Sequence, residues 1–328
     1  MDNHAGTRRD NHGPQNTVFR ALEQIKPTSH GLDGLPAWYL KLAAPALSEP
    51  LAWLFRKSLS GSLVPVQWKT ACITPVPKIS QPAALADYRP ISLTPILSRL
   101  LEKIITRHVL YPILADPVMS LEFSDQYGFR PTGSTTAALI SILSDIASLI
   151  QSYPYIHIIA LDFSKAFDTV RHHTLLSKFS SFHLDDNLYN WLVSYFTDRS
   201  HSTKAHGVIT QPLAINASIV QGSSIGPTSY VINASDLKTI IPGNKMHKYA
   251  DDTYLLVPAF NSHHIQNELD HIETWSSASN LRLNRSKSTH MVVARSRHTV
   301  VNLPPPIPGL QQVKSLNILG VTISCHLT

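Results

Sequence analysis

Cysteine is nearly missing from this sequence. The 2 that occur, Cys72 and Cys325, lie far apart, which excludes a disulfide framework and any zinc module built on paired cysteines. Long apolar runs are missing too: no uninterrupted stretch approaches the roughly 18 residues that suggest a membrane span. Arg8 and Arg9 have no apolar segment behind them, which argues against a secretory signal. Charged residues make up only 15% of the chain, and no internal repeat is visible. Histidine is plentiful, at 17 copies, but the pairs His172/His173 and His263/His264 lack acidic or cysteine partners at ligand spacing. The expectation from these absences is an intracellular globular chain that has no contact with a membrane.

Core-forming residues are plentiful. With 328 residues, 43% of them hydrophobic, the chain can fill two lobes. Lys plus Arg exceed Asp plus Glu by 28 to 22, for a formal charge of +6, and this basic excess favours a polyanionic partner. Residues 1–34, rich in Asn, His, Gly and charge, read as a flexible leader with one short helical turn at VFRALEQI. Beyond Leu35, the apolar positions Trp38, Leu42, Ala46, Leu51, Leu54, Phe55 and Leu59 recur at helical intervals. Pro45 and Pro50 are expected to break them into two helices.

The X-Pro steps of ACITPVPKISQPAALADYRPISLTP predict two short strands joined by a loop. LSRLLEKIITRHVLYPIL and STTAALISILSDIASLIQ read as amphipathic helices flanking the loop DQYGFRPTG. YIHIIALDF has the pattern of a buried strand with Asp162 at its end. Two helices follow, with Asp168 and either Asp185 or Asp186 suited to cap them. Residues 203–220 read as a hairpin, and Pro227 fits the first turn of a helix over TSYVINASDL. Then come a hairpin, the helix HHIQNELDHIETWSSASN, the strand THMVVA, the link LPPPIPG and a last strand SLNILGVTIS. Strands and helices interleave without regular βαβ alternation, which predicts an α+β fold in two lobes.

The hairpin contains KYADDTY, with Asp251 beside Asp252. Such a pair can be a solvated turn. It can also be a metal site, because neighbouring carboxylates repel unless a hard cation lies between them. Should the strand ending at Asp162 pair with this hairpin, Asp162, Asp251 and Asp252 would meet at one sheet edge, the donor set that two-metal phosphoryl transfer uses.

PK with YRPISL, QYGFRPTGSTTAAL, ALDFSKAFDTV, QGSSIGP, YADD, LRLNRSKS and LGV occur in that order along the chain. In this series the chain resembles the reverse transcriptase domain of non-LTR (LINE-type) retrotransposons, from about Leu35 to the C-terminus. The resemblance implies a right-hand polymerase fold with fingers and palm lobes and an antiparallel palm sheet flanked by helices. It places the fingers at 35–155, with 169–220 contributing, and the palm at 156–328. It implies RNA-directed DNA polymerase activity on an RNA template and a DNA primer with dNTPs, using two Mg²⁺ ions or Mn²⁺ as a substitute.

Position by position, the resemblance implies that Asp162, Asp251 and Asp252 bind the metals, with help from the backbone of Phe163. Phe167 matches the platform under the incoming sugar, against the plain alternative of a core Phe. Lys78 and Arg89 match cations that grip the triphosphate, and Gln221 and Gly222 match the motif beside the nucleotide, where Gly permits close backbone approach. Lys287 matches a general acid for departing pyrophosphate. Gln126 and Arg130 lie in a segment near the template path, and Leu319 and Gly320 match a strand that positions the primer terminus.

The sequence stops shortly after Gly320, and Ser224 stands where the family often has Pro. The reading is therefore of a truncated polymerase core with no thumb and no upstream endonuclease. The alternative is a catalytically inactive remnant that only binds nucleic acid through its basic surface. A carboxylate-pair hydrolase would leave Lys78, Arg89 and QGSSIGP without a role.

Overall fold

The computed structural model describes residues 13–116, 123–205, 207–295 and 304–327. The start of the expected leader, with Arg8 and Arg9, lies outside them. In chain order the helices are α1 (Pro14–Glu23), α2 (Ala37–Leu42), α3 (Ala44–Ser60), α4 (Ile96–Ile105), α5 (Tyr111–Ala115) and α6 (Thr135–Ser152). They continue with α7 (Ala166–Thr169), α8 (His172–Phe179), α9 (Asp186–Phe196), α10 (Gly226–Asn233) and α11 (Ile265–Ala278). The strands are β1 (Thr70–Pro77), β2 (Tyr88–Leu93), β3 (Tyr155–Leu161), β4 (Arg199–Ala205), β5 (Val208–Ile209) and β6 (Leu213–Ile215). They end with β7 (Lys245–Tyr249), β8 (Asp252–Pro258), β9 (Thr289–Ala294), β10 (Gln311–Gln312), β11 (Ser315–Ile318) and β12 (Val321–Ser324).

The chain divides into two compact units. One takes the described residues up to Ile105 together with Leu184–Ile215 and Gly222–Ser224; the other takes Thr106–His183, Asn216–Gln221 and the described residues from Ile225 onward. These compact units are divided at other positions than residue 155, where the expected fingers end. Residues 106–155 belong with the sheet that carries the acidic residues, and of 169–220 only 184–215 join the first unit.

In the first unit α1 packs on α3, with Val18 and Leu22 buried. The flexible leader is thus corrected over Pro14–Glu23: a polar sequence still offers Val18 and Leu22 at helical spacing, and Pro14 suits a first turn. The break expected at Pro50 is also absent, because Pro50 lies inside the 17-residue α3. An interior proline costs about 3 kcal/mol. Burial of Leu51 and Phe55, worth roughly 1.5–3 kcal/mol each, offsets it. The sheet of this unit runs β2-β1-β4-β5 with β6 also on β4. β1 and β2, the two short strands expected here, pair antiparallel, and β1 runs parallel to β4.

The sheet of the second unit runs β10-β9-β3-β8-β7. β3 is central and antiparallel to both β8 and β9. Ile156, Ile158, Tyr254, Leu256, Met291 and Val293 cover one face, where they pack with Ile142 and Ile146 of α6 and with the β11–β12 hairpin. Among the described residues α6 alone is long and apolar enough to cross a membrane by length and composition, yet its Ala138, Ile142 and Ile146 are buried against protein. Ser134 caps α6 by accepting from Ala137 N at 3.0 Å. Asp185 caps α9 through Asn187 N at 2.9 Å. Asp168, expected to be a cap, is not one: it lies within α7, and α8 starts after Arg171. The single last strand is also corrected. Leu319 and Gly320 turn it into the β11–β12 hairpin with φ of 51° and 89°, because two positive φ values in a two-residue loop suit the twist of paired strands.

If α1 is part of the core, Leu22→Ala will cost about 2–5 kcal/mol in urea unfolding. A loss near zero would return this segment to a flexible leader.

Candidate active site

β3 and β8 pair from Ile156 opposite Pro258 to Leu161 opposite Thr253. Asp162 directly follows Leu161 and Asp252 directly precedes Thr253, so both aspartates stand at the same end of this strand pair. β7 and β8 join through Ala250 and Asp251, closed by Tyr249 opposite Asp252. Ala250 has φ 56°, a left-handed conformation that costs an L-residue roughly 1–2 kcal/mol. Asp251 thus lies in a strained two-residue turn with Ala250, and Asp252 opens β8, at the same sheet end as Asp162.

The charges there oppose one another. Burial raises the Asp251 carboxyl above the usual range, and Asp162 adds to the rise against a hydrogen bond from Asp251's own backbone. The Asp252 carboxyl is raised by burial, then by Asp251 and Asp162, although the residue as a whole is exposed. The buried Tyr230 hydroxyl is raised by burial and by both of these aspartates, which places it beside them. Among the described residues no three His, Cys, Asp or Glu side chains stand in a metal-holding group. The carboxylates share one sheet end without closing on a common point.

The segment LRLNRSKS holds Asp162 from behind. Asn284 N donates to Asp162 O at 2.8 Å, and Asp162 N donates to Ser288 Oγ at 3.0 Å. Ser164 N donates to Arg282 O at 2.9 Å, framing a bridge between Phe163 and Leu283. Neighbours make both bonds of this bridge, so the Phe163 carbonyl stays outside its bonding. The Phe163 ring points inward onto Trp275, with centroids 5.9 Å apart.

Residues 76–323 match the family described as reverse transcriptase (RNA-dependent DNA polymerase). The chain belongs to the reverse transcriptase family. It is 27% identical over 85% of its length to the RNA-directed DNA polymerase from the mobile element jockey of Drosophila melanogaster, of which it covers 31%. It is 27% identical over 95% of its length to the probable RNA-directed DNA polymerase from transposon BS of the same species, of which it covers 36%. The chain therefore spans about a third of these relatives. Among solved structures, apo telomerase from Candida tropicalis, truncated from its C-terminal domain, aligns with a TM-score of 0.56 at 12% identity, over 85% of this chain and 59% of that one. That likeness concerns the fold, and it agrees with a right-hand polymerase arrangement. Family membership implies dependence on a divalent metal. Carboxylate oxygens are the hard ligands such an ion takes, and Asp162, Asp251 and Asp252 supply them at one sheet end, though not gathered on one point.

Other positions in the reverse transcriptase unit divide sharply. Phe167 is half-buried and not a core residue; its ring stacks on Tyr230 at 4.6 Å and meets the edge of Phe129 at 6.3 Å. Gln221 donates through Nε2 to Asp168 Oδ1 at 2.6 Å. Lys287 is exposed on the loop that grips Asp162. Leu319 and Gly320 sit on the β11–β12 turn, not on a strand, and the backbone of Leu319 bonds to the Tyr254 hydroxyl. Lys78, Arg89 and Gly222 belong to the first unit. There Lys78 Nζ donates to Ala86 O at 2.8 Å, and Arg89 is exposed on β2. A Cβ on Gly222, whose φ is 114°, would lie 2.5 Å from Ser92 O. Close approach of the protein's own backbone is enough to require glycine there.

Two of the expected template positions bond inward. Gln126, expected near the template, is 2% exposed and bonds inside the protein. Arg130 turns back to donate to the carbonyls of Phe123 and Gln126, and burial lowers its pKa. Sequence reasoning also passed over Tyr230 and Lys248. Lys248 is 1% exposed. Its Nζ bonds Ala234 O at 2.8 Å, Leu237 O at 2.9 Å and Asp125 Oδ2 at 3.1 Å, and burial pushes the amine down to about 8. The only signal for it was a lysine directly before YADD in the strand KMHKY.

A carboxyl raised by folding binds its proton more readily folded than unfolded, so its contribution to stability falls as pH rises from the unfolded pKa through the folded one. Without divalent metal at neutral pH, Asp251→Asn will therefore raise the melting temperature by about 2–4 °C. The gain should vanish as pH falls below the ordinary carboxylate range. An unchanged or lower melting temperature at neutral pH would contradict the charge conflict.

Proposed function

We propose that this chain carries out RNA-templated DNA synthesis, adding dNTPs to the 3′-hydroxyl of a DNA primer, inside the cell. The observation that supports this most is that Asp162 directly follows β3 and Asp252 opens β8, at the same end of this antiparallel pair, with Asp251 in the adjoining turn. In this reading Asp162, Asp251, Asp252 and the Phe163 carbonyl hold two Mg²⁺ ions, with Mn²⁺ as a substitute. When bound, the ions supply charge neutralisation for the triphosphate and acidity for the primer hydroxyl.

The chain's own residues orient the reactants. Phe167, backed by Tyr230, forms a flat aromatic surface for the sugar that a 2′-hydroxyl would crowd. Lys78 and Arg89, in the first unit, are a point charge and a planar fork of the kinds suited to a triphosphate. Gln221, fixed by Asp168, and Gly222 lie beside the nucleotide. Lys287, exposed on the loop that bonds Asp162, delivers a proton to the departing pyrophosphate. Leu319 and Gly320 bring a tight turn to the primer terminus. Gln126 is buried away from any direct template contact, while half-buried Arg130 stands near the template path.

A second reading, nucleic-acid binding without catalysis, draws on the formal charge of +6. Primer extension on an RNA template separates the two. Synthesis should require Mg²⁺, and Asp252→Asn should reduce it more than about 100-fold, beyond the usual effect of an outer-shell change. Salt-sensitive RNA binding with no extension by the unaltered chain would support the binding-only reading instead.

A further inference from the structure

We infer that Gln126 is a positioning residue for the acidic turn: its buried amide oxygen holds the Ala250 N–H and fixes the backbone conformation that presents Asp251 and Asp252. Gln126 Oε1 accepts from Ala250 N at 3.1 Å and from Gly128 N at 3.0 Å. Two N–H donors facing one atom identify it as the oxygen of the amide. Ala250 is itself buried, at 8% exposure, with φ 56°. Without this acceptor its N–H would be buried and unpaired unless the turn relaxed, and relaxing to negative φ would redirect the residues that follow.

The segment around Gln126 is anchored for this task. It pairs with β7 as a short parallel bridge between Gln126 and Lys248, with Tyr127 N donating to Lys248 O at 2.8 Å and Lys248 N to Asp125 O at 2.6 Å. The buried Lys248 ammonium adds an ion pair to Asp125 at 3.1 Å. On the far side of Gln126, a Cβ on Gly128 would fall 2.4 Å from Ala250 N, so the backbone there presses directly on the turn. Gln126 thus joins a fixed edge to the acidic turn. Its importance for catalysis rests on the polymerase reading, whereas its grip on the turn does not.

The test uses Gln126→Met, which keeps length and apolar volume while removing the acceptor. Hydrogen exchange on the unaltered chain should find the Ala250 amide protected, and Gln126→Met should lose that protection while amides of β3 and β8 keep theirs. In primer extension the variant should show kcat lowered about 10–100-fold and the Mg²⁺ half-saturation raised by a similar factor. KM for dNTP should stay within about 2-fold, because the nucleotide contacts are elsewhere. A purely structural role would lower the melting temperature without shifting the Mg²⁺ half-saturation. An Ala250 amide that exchanges as fast as an open turn in the unaltered chain would overturn the inference even if the variant fails to fold. Unchanged Mg²⁺ dependence in a folded variant would overturn it as well. If the unaltered chain extends no primer, the polymerase reading fails, and the exchange result alone decides whether Gln126 holds the turn.

Discussion

Like charges held close together in a partly buried place oppose one another, and this fold gathers such charges at the end of the buried β3–β8 strand pair. β3 and β8 are joined by a register that leaves little freedom. Ile156, Ile158, Leu255, Leu256 and Val257 are all fully buried, and a slip by one residue would carry every one of them to the opposite face. Core packing therefore holds Asp162 and Asp252 at one sheet end, where burial first and the neighbouring aspartates second raise the carboxyls of Asp251 and Asp252. The proposed divalent ions would relieve that opposition, so the same charges that weaken the metal-free sheet would bind metal.

Three other segments hold this end of the sheet in place. LRLNRSKS grips the backbone of Asp162 on both sides. Gln126 and Gly128 press on Ala250 from the edge of β7. Lys248, buried with Asp125, ties that edge to the carbonyls after α10. Because each acts on backbone and not on the carboxylates themselves, the acidic side chains remain available for ligands.

Much of this was legible in the sequence because it depends on local pattern. The apolar run ending in Asp162, the acidic hairpin, the Asp185 cap and the Pro227 helix start each follow from a few adjacent residues. Where the reading failed, long-range packing decided. The helix α1 forms because Val18 and Leu22 find α3; Pro50 is tolerated because Leu51 and Phe55 are buried. The β11–β12 hairpin lacks an Asn-Gly or Asp-Gly signal, so its alternation read as one strand. Gln126 looked like a polar loop residue, and nothing local shows that its partner is Ala250. The pairing of β3 with β8, on which the site depends, was only a condition in the sequence and required the structure.

Manganese(II) binding followed by electron paramagnetic resonance addresses the shared site most directly, with no primer or nucleotide present. The account predicts tight binding to the unaltered chain that is weakened by Asp162→Asn as strongly as by changes at Asp251 or Asp252, at least 10-fold on the order of an outer-shell loss or more. If Asp162→Asn bound manganese as the unaltered chain does while the hairpin variants lost it, the strand and the turn would not hold a common ion, and the central claim would be wrong.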